Sequence, residues 1–148
     1  MQNRGLFIVF EGIDASGKNT QLHNLEKKIE DLNKWQDIVR THEPWRSSEI
    51  KRKLETEKDA YSSAAEIAEL YVEDRARHTQ RLIRPNLEAG AVVLCSRYTL
   101  STCAYQWAQG LSLPELMKMH EHRGILTPDI TFFLDIPAEM TEQRRVTR

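Results

Sequence analysis

Gly12-Ile13-Asp14-Ala15-Ser16-Gly17-Lys18 carries the spacing G-x-x-x-x-G-K. Glycines so placed let the backbone curl until several N–H groups converge on one point, where phosphate oxygens can accept from them. A helix starting directly behind adds a favourable field for an anion, and Lys18 supplies a point charge for β- and γ-phosphates. The candidate nucleotide-binding residues are therefore Gly12, Ile13, Asp14, Ala15, Ser16, Gly17, Lys18, Asn19 and Thr20, with ATP as the expected nucleotide. An ordinary glycine turn with an exposed lysine has the same composition; a strand before it and a helix after it separate the two readings. The residue behind the lysine is usually Ser or Thr, whose hydroxyl ligates Mg²⁺. Here it is Asn19, whose amide oxygen is also a possible ligand. Mg²⁺ is expected with ATP, and the residues that hold it are left unassigned.

The flanking elements are present in the pattern. Leu6 to Phe10 is a continuous apolar run ahead of Glu11-Gly12, the mark of a strand buried on both faces. Leu22, Leu25, Ile29 and Leu32 then recur at helical spacing. Further strands are predicted at Gln36 to Thr41, Ala91 to Cys95 and Ile130 to Ile136. Ser47 or Ser48 is placed to cap a helix running to about Glu57, and Ser62 or Ser63 a longer one that stops near Ala89-Gly90. Pro85 should bend that longer helix or start a new segment. Leu100 to Ala108, Pro114 to Arg123 and a start at Glu139 complete the helices. Strands alternating with helices imply an α/β fold, a parallel β-sheet flanked by α-helices on both faces. Ligands bind such sheets beyond the carboxyl ends of the strands. Glu11 to Lys18, His42 to Arg46, Ser96 to Tyr98 and Asp135-Ile136 occupy those positions.

At 148 residues the chain suits one domain and not comfortably two. A net charge of −1 argues against a basic nucleic-acid surface, so no nucleic acid is expected as a partner. No apolar run has the length of a membrane span, and Met1 to Gly5 lacks the apolar stretch of a secretory signal. Cys95 and Cys103 make neither a metal spacing nor a disulfide framework. A reducing cytoplasm is the expected setting.

Beyond these general features, three stretches resemble the thymidylate kinase family. Phe10 to Gln21 looks like its phosphate loop, Arg97-Tyr98 with Ser101, Ala104, Tyr105 and Gln106 like its second signature, and Pro128 to Asp135 like its next strand. The three occur in the family's order across nearly the whole chain. The resemblance implies a P-loop kinase fold, transfer of the ATP γ-phosphoryl group to the 5′-phosphate of dTMP, and a homodimer. It assigns Lys18 and Arg97 to catalysis. It places Asp14, Glu43, Arg46, Tyr71, Arg75, Arg97, Thr102, Tyr105 and Gln106 around the acceptor. Arg46 and Arg97 would hold the acceptor phosphate, and an arginine fork suits phosphoryl oxygens. Asp14 would accept from the sugar 3′-hydroxyl. Tyr71 would stack on thymine, and Arg75, four residues on and on the same helix face, would bond its carbonyl. Thr102, Tyr105 and Gln106 would line the base and sugar pocket, with Tyr105 crowding a ribose 2′-hydroxyl.

The chain departs from the family in places. Ser96 stands where Asp is usual, and His42 where bacterial relatives have Arg before Glu-Pro. No arginine lies between Gly12 and Lys18, which implies a transition-state arginine on a mobile lid starting near Gln143-Arg144-Arg145-Val146-Thr147-Arg148. Arg144 and Arg148 match the start of that lid; Arg145 has no match. Residues 1–148 are thus expected to form a single domain lacking the family's lid, last strand and closing helix. Two other functions stay open on the sequence: nucleotide binding with weak or no turnover, because of Ser96, and a deoxynucleoside kinase. His120-Glu121-His122 is expected to be a solvated face and not a metal site. Asp135 is placed to order water near Mg²⁺ or to cap a helix. Trp35, Trp45 and Trp107 are expected to be packing residues.

Overall fold

The computed structural model describes residues 4–56 and 63–146. Ser62, Glu57 and Arg148 of the sequence reading lie outside that range. Among the described residues four strands, β1 (Phe7–Glu11), β2 (Ile38–His42), β3 (Val92–Ser96) and β4 (Ile130–Phe133), form one sheet in the order β2-β3-β1-β4. All three pairings are parallel, so every strand ends at the same edge. Among the described residues seven α-helices accompany them: α1 (Lys18–Leu32), α2 (Ser48–Thr56), α3 (Ala64–His78), α4 (Arg84–Glu88), α5 (Thr99–Ala108), α6 (Leu113–Glu121) and α7 (Ala138–Val146).

Alternation along the central strands builds two cores. Phe7 and Val9 of β1 join Val93 and Cys95 of β3 on one face, under Ile83, Leu87 and Tyr98. Ile8 and Phe10 join Val92 and Leu94 on the other, under Leu22 with Leu25 and Ile29 of α1. β1 and β3 are therefore buried at every position, as their unbroken apolar runs predict. The strands run to Glu11, His42 and Ser96, each one residue beyond the apolar run that marks it in the sequence.

β4 is shorter than its apolar run. Leu134 still donates to the Glu11 carbonyl at 2.9 Å, but β1 then turns into the Gly12 loop and offers no further partner. Pro137 lacks the N–H that would continue a ladder. The helix capped by Ser63, whose side chain accepts from Glu66 N–H at 3.3 Å, does not run unbroken to Gly90. Thr79–Ile83 widens into a π-helical turn, in which Arg84 N–H reaches the Thr79 carbonyl, and α4 follows. Pro85 falls in the first turn of α4, where a missing N–H costs nothing.

Glu11 ties the sheet edge to α5. Its buried carboxylate accepts from Tyr98 N–H at 2.8 Å, Ser101 N–H at 3.2 Å and the Ser101 hydroxyl at 2.6 Å, capping a helix whose own N-cap side chain makes no such bond.

Leu94→Ala, at a fully buried position, is expected to lower unfolding free energy by about 2–5 kcal/mol in urea titrations. Leu32→Ala, at a position 76% exposed at the end of α1, should change it by less than about 0.5 kcal/mol.

Candidate active site

The loop after β1 takes the shape its glycines allow. Gly12 has φ +147°, and an added Cβ there would lie 2.8 Å from Ser16 Oγ and 2.9 Å from the Leu134 carbonyl oxygen. Gly17 caps α1 in the left-handed region at φ +98°. Lys18, in the first turn of α1, folds back over the loop and donates to the Gly12 and Ile13 carbonyls at 2.9 and 2.7 Å. Burial, reinforced by the nearby Arg97, lowers its pKa to about 8, against the opposing pull of Asp14 and Glu11. Asp14, Ala15, Gly17, Lys18, Asn19, Thr20, Ser96 and Arg97 surround a cavity of ≈ 180 Å³, the donor cavity.

A second cavity of ≈ 260 Å³, the acceptor cavity, adjoins it. Glu43 and Pro44 from the end of β2, Tyr71 and Arg75 from α3, and Thr102, Tyr105 and Gln106 from α5 line it. Asp14 and Arg97 line both cavities. Arg97 follows β3 with φ 67°, a left-handed conformation unusual for a side-chain-bearing residue and found where structure holds a group for use. Its guanidinium is bonded to Asp14, donates to Ser101 Oγ at 3.2 Å and lies 5.7 Å from the Tyr105 ring centre. Asp14 also meets Arg145 of α7 at 3.2 Å, and Arg144 donates to the Ala15 and Ser16 carbonyls at 3.2 and 3.3 Å.

Arg75 is buried and heavily bonded. Nε donates to Glu43 Oε2 at 2.6 Å, and Nη2 donates to the Tyr98 carbonyl and Thr102 Oγ1, both at 3.0 Å. His78 meets the other Glu43 oxygen at 3.0 Å and Thr41 Oγ1 at 2.8 Å. Gln106, only 1% exposed, has a carboxamide oxygen with no partner among the described residues. A buried amide left unpaired against a cavity marks a place where a ligand can complete the bonding.

Arg46 is not brought to this site. Asp74 accepts from the backbone N–H groups of Trp45 and Arg46 at 2.5 and 3.1 Å, and so sets the direction in which the chain leaves β2. The Arg46 guanidinium lies 4.8 Å from the Trp45 ring centre, beside Arg77 and Arg81 in a separate hollow.

Other expectations need correction. His120 is buried, not solvated, and accepts from Arg75. Leu116, one turn earlier and fully buried, places it on the inner face of α6, and that spacing was the available signal. His122 is exposed as expected. Trp35 and Trp107 are 83% and 65% exposed and do not pack a core, whereas Trp45 stacks on His78 with ring centres 5.1 Å apart. Asp135 is exposed. His78 and Asp74, to which the sequence assigns no role, and Glu11, which it places only at the strand end, order the site from behind. Among the described residues no His, Cys, Asp and Glu cluster could hold a metal ion. Asp14, Asn19, Thr20 and Ser96 bring side-chain oxygens to the donor cavity.

The family model of thymidylate kinase matches residues 10–148. The probable thymidylate kinase of Thermococcus kodakarensis is 40% identical over 148 residues, an alignment covering 94% of this chain and 70% of that protein. The thymidylate kinase of Desulfotalea psychrophila is 37% identical over 147 residues, covering 98% and 70%. The crystal structure of thymidylate kinase from Ehrlichia chaffeensis superposes with a TM-score of 0.81 at 28% identity, covering 95% of this chain and 82% of that one. The family model over most of the chain, and relatives at 37–40% identity, show that this chain belongs to the thymidylate kinase family.

Proposed function

We propose that this chain transfers the γ-phosphoryl group of ATP to the 5′-phosphate of dTMP, giving dTDP and ADP. The observation that carries the reading is the sharing of Asp14 and Arg97 by the donor and acceptor cavities. Two anions must be brought together at that wall, and Arg97 is a cation placed where both phosphates can reach it. An acceptor phosphate oxygen attacks the γ-phosphorus, the bond to the β–γ bridging oxygen breaks, and ADP leaves. Such transfer depends on positioning and charge neutralisation more than on covalent chemistry. Lys18 and the loop N–H groups hold the donor phosphates. Mg²⁺ carried in with the nucleotide would neutralise phosphate charge, and the side-chain oxygens of Asn19, Thr20 or Ser96 in the donor cavity would be the ones to hold it. Tyr71 offers a ring for base stacking, while Arg75, Thr102 and Gln106 supply polar groups for the base edge, and Tyr105 lies toward the sugar. A homodimer in the cytoplasm belongs to the same reading; no helix among the described residues is long and apolar enough to cross a membrane.

One observation favours a second reading, nucleotide binding without turnover. The donor cavity has the neutral Ser96 where the family signature carries a carboxylate.

Calorimetric titration tests the acceptor. dTMP should bind at least about tenfold tighter than thymidine, because charge-assisted bonds to its phosphate are lost in the nucleoside. Equal binding of the two would remove the monophosphate from the reading. Arg97→Lys keeps the charge and loses the fork, and should lower kcat/KM for dTMP by about a hundredfold. Ser96→Asp separates the two readings: a gain in phosphotransfer of about tenfold or more would identify a missing carboxylate as the limit, and no gain would dismiss it.

Lys18 adds a pH signature. With its pKa lowered to about 8 in the free chain, Lys18 is mostly neutral above that pH. Bound phosphates favour the charged form and raise the pKa again, so ATP binding above about pH 8 should take up a proton. Binding heats measured in buffers of different ionisation enthalpy report that uptake, which Lys18→Met should abolish.

A further inference from the structure

We propose that His120 is a positioning residue for the acceptor: its neutral imidazole holds the Arg75 guanidinium so that one Nη1–H is left for the bound base. The inference rests on the acceptor reading above, and the bonds on the two side chains carry it.

A guanidinium has five N–H donors and no acceptor. Four are engaged here, by Glu43, Tyr98, Thr102 and His120, the last at 2.6 Å between Nη1 and Nε2. The remaining Nη1–H has no partner among the described residues, and Arg75 lines the acceptor cavity. Arginine cannot give up its proton, so His120 Nε2 must be the acceptor. The other ring nitrogen agrees. Nδ1 lies 2.6 Å from the Leu116 carbonyl oxygen, which can only accept, so Nδ1 carries the hydrogen and Nε2 the lone pair. The ring is thus fixed at both ends, between its own helix and α3.

Protonation of His120 would set one N–H donor against another and add a second positive charge beside a buried cation. Arg75 would then have to move. The titratable and charged groups near the ring are Arg75 of α3, Glu43 after β2, Glu11 of β1, Tyr98 ahead of α5 and Glu121 on α6 itself; His78 is bonded to Glu43, and Cys103 of α5 lies near Arg75. Burial holds the His120 pKa below the usual histidine value; Arg75 acts the same way, and the Leu116 carbonyl and Glu43 oppose them. The neutral form is therefore the resident one at neutral pH, and its protonation in acid should weaken acceptor binding beyond the fall that titration of the ligand phosphate itself causes.

The test is calorimetry of dTMP and ATP with the wild-type chain, His120→Leu and His120→Gln between about pH 5.5 and 8. His120→Leu should weaken dTMP about tenfold with ATP unchanged. His120→Gln, whose carboxamide oxygen can accept from Nη1 and does not titrate, should recover most of that loss and reduce the acid-side fall to the part that protonation of the dTMP phosphate, with its second pKa of about 6, causes in every variant. Nitrogen NMR of the wild-type ring should show a protonated Nδ1 and a bare Nε2 at neutral pH. Normal dTMP affinity in His120→Leu, an acid-side fall as steep in His120→Gln as in the wild type, or an Nε2–H ring would each overturn the proposal while the dTMP reading stands. A wild-type chain that binds ATP but not dTMP would instead overturn the acceptor reading, and this role with it.

Discussion

Glu43 and Arg75 form a buried ion pair on which the acceptor side of the molecule depends. Both side chains are almost wholly out of water, 3% and 1% exposed. Such a pair is tolerated only when the remaining lone pairs and protons are also satisfied, and removing one partner typically costs about 3–5 kcal/mol. Here His78 takes the second Glu43 oxygen, while Tyr98, Thr102 and His120 take further Arg75 protons. One charge pair thereby joins the end of β2 to α3, α5 and α6. Most of the bonding capacity in the wall of the acceptor cavity is thus taken up within the protein, leaving the Gln106 carboxamide oxygen and one Arg75 Nη1–H for a ligand.

The donor side follows a different logic. Its cations are held by partners that phosphates can replace. Lys18 rests on two loop carbonyls, and Asp14 holds both Arg97 and Arg145. Asp14 and Arg145 are each 58% exposed, so that contact is well solvated and contributes little. A phosphate offers Lys18 and Arg97 a stronger and better-placed acceptor. A buried bonded network on one side and exchangeable partners on the other meet at Arg97, whose left-handed backbone lies between the sheet edge and the Glu11-capped start of α5.

Much of this was legible in the residues, for reasons that are local. The glycine loop is a backbone device, and its spacing alone states its shape. β1 and β3 are buried on both faces, so their apolar runs are unbroken. Tyr71 and Arg75 are one helical turn apart wherever that helix sits, and they do reach one cavity. What was not legible depends on contacts distant in sequence. Arg46 is turned away from the site because Asp74, 28 residues on, captures its backbone N–H. His120 is buried because α6 packs its inner face against α3 and α5, a fact its polar neighbours Glu121 and His122 conceal. The π turn ahead of Pro85 adjusts the helical register in a way that an apolar pattern does not report.

The claim that two phosphates meet at Arg97 is tested most directly by following the γ-phosphate of labelled ATP. The chain would be incubated with Mg²⁺ and either dTMP or thymidine, and the products separated by anion exchange. Label recovered in dTDP, at the β position, with none in dTMP formed from thymidine, is the expected result. Label passing to thymidine, or released only as inorganic phosphate in the presence of dTMP, would contradict it.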